Sequence, residues 1–441
     1  MEIDAKNLKV LVCSVNAWNS KIGDNTFPSL LRGHSIENVA NIFIREDNPD
    51  SPVCKKYFRI SEMLVVKSII KRSVKTGKKI TDYCIENDSN KDAEFLQKQE
   101  NIYRNKKKFY YSKLFAREVA WKIGKWHTDE LDQFIDEFKP DVVLYEMSRY
   151  IHMNRIVRYV LEKTGAVGVG CFWDDTFTYK QENSLRYKIL RFFQRKSLLG
   201  LAKKTKGFFA ITEKTKREAD EFFKINCTVL TKPVIIKTDR TAPKCEQPLK
   251  MLYTGNLNIG REKTILAIID ELEKINQEDV KIRLDIYTKT CLEKQYVQRC
   301  NTKFSQLHEA VSQEKVVELQ NQTDVLLFVE SFDLRNQIAR LSFSTKITDY
   351  YAAGKCIFAV GNANLAPIEV FSDDESAIIA TNQTEIAFCL KKLLNSATVM
   401  EYAGKAYNVG LEKYSIERVN HIFYSQLIKT YSSKMNCIQG D

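Results

Sequence analysis

Apolar positions in the first half of the chain fall in short unbroken runs that alternate with stretches of helical spacing. KVLVCSV (9–15) and VANIFI (39–44) are four to seven residues of continuous hydrophobicity, the pattern of parallel strands buried on both faces. A long polar and basic region follows, from about Lys55 to Tyr111, containing KTGKKI and RNKKKFYYSK. DELDQFIDEF has helical spacing and ends at a Lys-Pro break before the strand DVVLYEM (141–147). HMNRIVRYVLEKTG reads as a helix with a glycine stop. AVGVGCFW (166–173), GFFAIT (207–212) and CTVLTKPV (227–234) continue the strand series.

The segment VIIKTDRTAPKCEQPLK is polar and closes this series, and the alternation then restarts. KMLYTG (250–255), the helix EKTILAIIDELEKI, RLDIYT (283–288), KFSQLH, the helix SQEKVVELQNQ, DVLLFV (324–329), LSFSTKITDYYAAGKCIFAVG (341–361) and SAIIAT follow in order. YSIERVNHIFYSQLIKTY predicts a closing amphipathic helix. Two successive β-α series in 441 residues predict an α/β protein of two doubly wound, Rossmann-like halves facing a cleft. The expected boundaries are 1–235, 236–415 and a C-terminal helix and tail, 416–441.

Charge narrows the partners. Lys and Arg number 68 against 56 Asp and Glu, a net +12, which favours anions: phosphates, nucleic acid or acidic lipid headgroups. No helix-turn-helix, zinc-finger or RNP-like string accompanies it, so nucleic acid is the weaker reading. The eleven cysteines include no C-x-x-C pair and several sit in strand-like runs, so they read as reduced, buried thiols. The N-terminus has no signal-like apolar run and no stretch reaches ~18 apolar residues. The expectation is a cytoplasmic protein. The five histidines form no ligand cluster, and no metal site is expected.

Ligands in open α/β sheets gather at the carboxyl ends of strands, and three segments of the second half fall there. YTGNLNIGREKT (253–264) joins a strand to a helix; Gly255 and Gly260 permit close backbone approach, and Arg261 stands at the helix start. It is either an anion site or an ordinary βα turn with a surface arginine. Ser344 and Thr345 offer helix caps. A cap does not account for Lys346, whose charge opposes the helix dipole unless an anion compensates it. Asp349, one turn later, either accepts from ligand hydroxyls or complements the dipole. Glu330, at the end of DVLLFVES, is placed for ligand hydroxyls or for solvent.

The order of YTGNLNIGR, TDVLLFVES and SFSTKITDYYAAGKCIFAVG resembles the nucleotide-binding half of GT-B retaining glycosyltransferases, family 4 type, of bacterial capsule and O-antigen clusters. NAWNSKIGDNTFPSLL (16–31), CKKYFRISE (54–62) and CFWDDTF (171–177) are similar to capsule-type members more loosely. The resemblance implies sugar transfer from a nucleoside diphosphate donor, with Arg261 and Lys346 neutralising the diphosphate and no metal or other cofactor. It places Gly255, Asn256, Glu330, Ser344 and Thr345 around the donor, and Asp349 where the second glutamate of the family's E-x7-E motif contacts ribose. The first glutamate falls on Leu341, so that half of the motif is absent, and the insertion SFDLRNQIARL lengthens the interval before it. In the first half the resemblance implies that Gly23, in the first loop, faces donor phosphate and acceptor. Asp174 and Asp175 end a strand; only one of two adjacent carboxylates can point into a site, and Asp175 is the catalytic candidate.

SLRYKILRFFQRKSLLGLAKKTKG (184–207) mixes eight basic residues with apolar ones and no acid. It is either a core helix with a basic outer face or an in-plane helix on an anionic membrane. The function expected is a glycosyltransferase acting on a glycan or lipid-linked acceptor in surface-polysaccharide assembly, peripheral on the cytoplasmic face of the membrane. The alternatives are a non-catalytic member of the fold and a sugar-nucleotide epimerase.

Overall fold

The computed structural model describes residues 4–19, 26–46, 48–80, 110–238, 240–333 and 337–439. The chain forms two compact units. The first runs to Leu230 and takes in the chain from Asn420 onward; the second is Thr231–Val419.

The first unit is an eight-stranded sheet in the order β4-β3-β2-β1-β5-β6-β7-β8. Its strands are β1 Val10–Cys13, β2 Val39–Phe43, β3 Lys56–Ile60, β4 Gly77–Ile80, β5 Val142–Glu146, β6 Val167–Phe172, β7 Thr205–Ala210 and β8 Thr228–Val229. All neighbours are parallel except β3 and β4. The four residues of β1, the five of β2 and the six of β6 are all buried, which is why they read as unbroken apolar runs. β3 and β4 lie inside the region that the sequence presents as merely polar and basic. Lys56 and Arg59 alternate with buried Tyr57, Phe58 and Ile60, and β4 is the sheet's antiparallel edge. The closing helix Ile416–Gln439 lays Phe423 against Phe209, ring centres 5.8 Å apart, and stacks Tyr424 on His34.

The second unit is a six-stranded, wholly parallel sheet in the order β11-β10-β9-β12-β13-β14. The strands are β9 Leu249–Thr254, β10 Ile282–Thr288, β11 Ser305–Glu309, β12 Val325–Val329, β13 Cys356–Val360 and β14 Ile378–Ala380. Successive side chains point to opposite faces. Met251, Tyr253, Val325, Leu327, Phe358 and Val360 therefore enter one core with the helix Arg261–Ile275. Leu252, Leu326, Phe328, Ile357 and Ala359 enter the other with the helix Thr345–Ala353. Strand order reverses between β9 and β12, so the segments leaving these two strands part to opposite sides, and a crevice opens at their carboxyl ends.

Candidate functional site

Two segments meet at that crevice. The one leaving β9 makes a tight loop. The hydroxyl of fully buried Tyr253 donates to the carbonyl of Asn256 at 2.7 Å, and the Leu257 N–H donates to the Thr290 hydroxyl at 2.9 Å. Ile259 and Gly260 follow with φ of 65° and 82°. A β-branched residue in the left-handed region is strained, by about 1–3 kcal/mol, and such strain gathers at ligand loops. Gly260 is the N-cap of the Arg261 helix and has no side chain to cap it.

Arg261 turns from the first helical position to the end of β12. Its Nε and Nη2 donate to the two carboxylate oxygens of Glu330, at 3.0 and 2.7 Å, a fork-to-fork pair. Glu330 is only 4% exposed and Arg261 is half-buried, so the carboxylate side of the pair is shielded from water. Gly361 makes room for it: a Cβ there would lie 2.8 Å from the Cβ of Glu330. Burial acts against the guanidinium's charge, and the Glu330 carboxylate outweighs it and raises the Arg261 pKa. Two of five N–H groups are thereby fixed, which holds the remaining donors in one orientation.

Lys346 comes from the segment after β12. Its Nζ lies 4.6 Å from the centre of the Tyr253 ring and directly over Gly255. A Cβ at Gly255 would fall 1.9 Å from that nitrogen, and Gly255 also holds φ at 146°, so the position suits glycine on both counts. The lysine is thus packed and half-buried rather than lying open. Burial lowers its pKa to about 8, and the neighbouring Arg261 charge adds to the effect; Glu330 and Asp349 act the other way. Asp349, one turn on, has its pKa raised by burial, against the pull of Lys232 and Lys346.

Ser344 occupies the N-cap position of the 345–353 helix but makes no side-chain capping bond there. The capping use open to these hydroxyls in the sequence is therefore not taken up by Ser344. Thr345 gives its carbonyl to the Thr348 hydroxyl at 2.8 Å. Leu341, where the missing glutamate would stand, is fully buried. Arg261, Lys346, Glu330, Gly255, Asn256, Ser344, Thr345 and Asp349 all belong to the second unit. Tyr253, Thr290 and Gly361 complete this loop set; Tyr253 opens the string YTGNLNIGREKT and Gly361 closes LSFSTKITDYYAAGKCIFAVG without standing out as site residues, and Thr290 lies outside both strings.

Gly23 lies outside the described residues. Asp175 belongs to the first unit and is 2% exposed. Its carboxylate accepts from the backbone N–H of Thr178 at 2.9 Å and from the Thr178 hydroxyl, closing the turn after β6. The helix Leu185–Ala202 braces this turn. Arg191, 2% exposed, donates to the carbonyls of Thr176 and Asp175 and to Gln181, and Arg195 donates to the carbonyl of Phe177 at 2.6 Å. Of the charges that suggest a membrane face, Arg191 is therefore internal and Arg195 is half-buried and directed at the turn. The outer face instead presents Ile189, Phe192 and Phe193 beside Arg186, Lys188 and Lys196. No helix among the described residues is long and apolar enough to cross a membrane. Nor do the described residues contain a group of three His, Cys, Asp or Glu placed to hold a metal ion.

No family model matches the chain, and no curated protein does. Solved structures match over nearly its whole length at low identity. The lipopolysaccharide outer core galactosyltransferase WaaB is 14% identical, covers 95% of this chain and 99% of its own, and has a TM-score of 0.57. HepE of Anabaena, solved with UDP and glucose, is 8% identical over 96% of this chain and 99% of its own, with a TM-score of 0.59. An E. coli trehalose-6-phosphate protein, solved with UDP-2-fluoro glucose, is 13% identical over 95% and 98%, with a TM-score of 0.57. The fold is that of the two-Rossmann-domain GT-B glycosyltransferases.

Proposed function

We propose that the chain is a glycosyltransferase that moves a sugar from a nucleoside diphosphate donor to a glycan or lipid-linked acceptor in surface-polysaccharide assembly, with retention and without a metal. The observation that carries the reading is the convergence of Arg261 and Lys346 on the crevice between β9 and β12. Transfer from such a donor leaves a diphosphate whose negative charge grows as the glycosidic bond breaks. Preorganised cations in a shielded site stabilise that charge at no cost of reorganisation during the step. Arg261 is held in place by Glu330, and Lys346 by Tyr253 and the space over Gly255. The neighbours solved with UDP and UDP-2-fluoro glucose support a uridine donor. Capsule or O-antigen assembly and retention rest on the sequence strings. The exposed apolar and basic face of the 185–202 helix supports a peripheral seat on an anionic membrane.

A second reading has two observations of its own: the buried Leu341 in place of a donor carboxylate, and the commitment of Glu330 to Arg261. It is a GT-B member that binds nucleotide and transfers nothing. Melting with UDP, GDP and ADP in EDTA tests the common core, since a ligand at 100 times Kd adds about 2.7 kcal/mol. No shift with any of the three overturns both readings. A shift with no diphosphate released from any nucleotide-sugar, in the presence of membrane extracts as acceptor, favours the second.

A further inference from the structure

The first sheet also reverses its strand order, between β1 and β5. Arg45 follows the end of β2 and Arg149 follows the end of β5, so both stand at the carboxyl edge of this sheet. A pocket of about 200 Å³ lies there, lined by Arg45, Arg149, Tyr150, Gln194 and, from the helix Tyr110–Ile123, Arg117 and Glu118. The guanidinium carbons of Arg117 and Arg149 lie 4.6 and 5.5 Å from the centre of the Tyr150 ring. Burial alone would raise the phenol's pKa, but Arg149, Arg117 and Arg45 together outweigh it and lower the value.

Glu118 does not balance these charges freely. Its carboxylate already accepts from the backbone N–H groups of Ile151 and His152 at 3.2 and 2.9 Å, and from the His152 ring at 2.9 Å. Glu146, at the end of β5, also acts on Arg149 and Tyr150. Among the described residues, the pocket thus gathers three guanidiniums from three separate elements around one lining carboxylate, Glu118, whose oxygens already accept three hydrogen bonds. Guanidiniums arriving from different directions suit a tetrahedral anion, which offers oxygens in more than one plane; a carboxylate offers two in a single plane.

We propose that this pocket binds the phosphate of a phosphate-bearing acceptor, either a soluble sugar phosphate or the phosphate headgroup of a lipid-borne glycan. That the ligand is the acceptor rests on the transferase reading; the phosphate site itself does not. The two helices beside the pocket carry exposed apolar residues next to its lining: Phe115, and Ile189 and Phe193, with the rings of Phe115 and Phe193 6.1 Å apart. That neighbourhood suits a phosphate presented at a lipid surface.

The test uses the full chain carrying Lys346→Met, so that one of the two cations at the second unit's crevice is removed. Glucose 6-phosphate, glucuronate and glucose are titrated by calorimetry. Co-sedimentation compares vesicles containing phosphatidic acid with vesicles of phosphatidylcholine alone. Saturable binding of glucose 6-phosphate identifies a soluble phosphate ligand, and binding confined to phosphatidic acid vesicles identifies a lipid one. In either case Arg45→Gln and Arg149→Gln should each weaken binding by about tenfold or more, as expected for a charged hydrogen bond. Arg149 is exposed, so its replacement tests the site even where Arg45→Gln disturbs the fold. Glucuronate binding as tightly as glucose 6-phosphate overturns the proposal. So does binding that ignores both substitutions. Absence of phosphate binding while UDP still stabilises the Lys346 chain sinks the pocket and spares the transferase reading. Phosphate binding with no UDP binding upholds the pocket and sinks that reading.

Discussion

Nucleotide binding should draw a proton onto Lys346. The ordinary lysine value is 10.5, and burial beside Arg261 lowers it to about 8. At about 1.4 kcal/mol per pH unit, the difference corresponds to roughly 3 kcal/mol, an upper figure because the side chain is partly exposed. The folded protein sheds this proton near pH 8 and the unfolded chain only near pH 10.5, so between them the unfolded chain binds more protons. Stability therefore rises with pH through that window, and the penalty is fully present below it. A diphosphate seated against the ammonium restores the ordinary value. Free protein is about half protonated at pH 8 and about one-tenth at pH 9, so binding should take up about 0.5 and 0.9 proton respectively. Affinity for UDP should fall toward tenfold per pH unit above pH 8. Calorimetry in buffers of differing ionisation enthalpy measures the uptake directly. Lys346→Met should abolish both the uptake and the pH dependence, weaken UDP binding, and melt no lower than the parent. Zero uptake at pH 9, or the same uptake in Lys346→Met, would refute the placement of this lysine against the diphosphate.

Glu330→Gln should lower the Lys346 pKa further, because Glu330 raises it, and so move the onset of UDP weakening below pH 8; an unmoved onset counts against the coupling. Arg191→Gln should cost about 2–4 kcal/mol in denaturant unfolding, because it strips buried carbonyls of their donor, and should leave vesicle binding intact. Lys188→Gln with Lys196→Gln should do the reverse, weakening co-sedimentation with anionic vesicles at low salt while the melting temperature stays put. Asp175→Ala should lower stability by about 1–3 kcal/mol through the loss of its bonds to Thr178. Full transfer activity at a temperature where it is folded would remove Asp175 from the catalytic set.

Much of the fold was legible because parallel strands buried on both faces cannot hide: VVLYE and VLLFV have no other reading at that length. β3 escaped because Lys56 and Arg59 interrupt its apolar side chains. At the candidate site, Gly255, Arg261 and Lys346 stood out by position, since each lies where a strand gives way to a helix. Their arrangement did not. Glu330 is 69 residues from Arg261, and no local pattern announces a pair closed by tertiary folding. The basic helix shows the same limit. Composition counts charges, but Arg191 and Arg195 turn inward because the turn at 175–178 offers carbonyls that need donors. That turn did leave a signal, an Asp three residues before a Thr, the spacing of a side chain closing its own loop.

The contact between Lys346 and Gly255 constrains how this sequence can change. The two positions are 91 residues apart by number, yet they share one small volume, and the lysine's nitrogen fills the space where any side chain at 255 would begin. A first step to alanine at 255 displaces the cation, whereas a first step to a shorter residue at 346 removes it. Either order passes through a chain that has lost the lysine's charge at the crevice. Neutral drift along this pair is therefore closed from both ends, and a variant library should hold 255 and 346 fixed together or randomise them together.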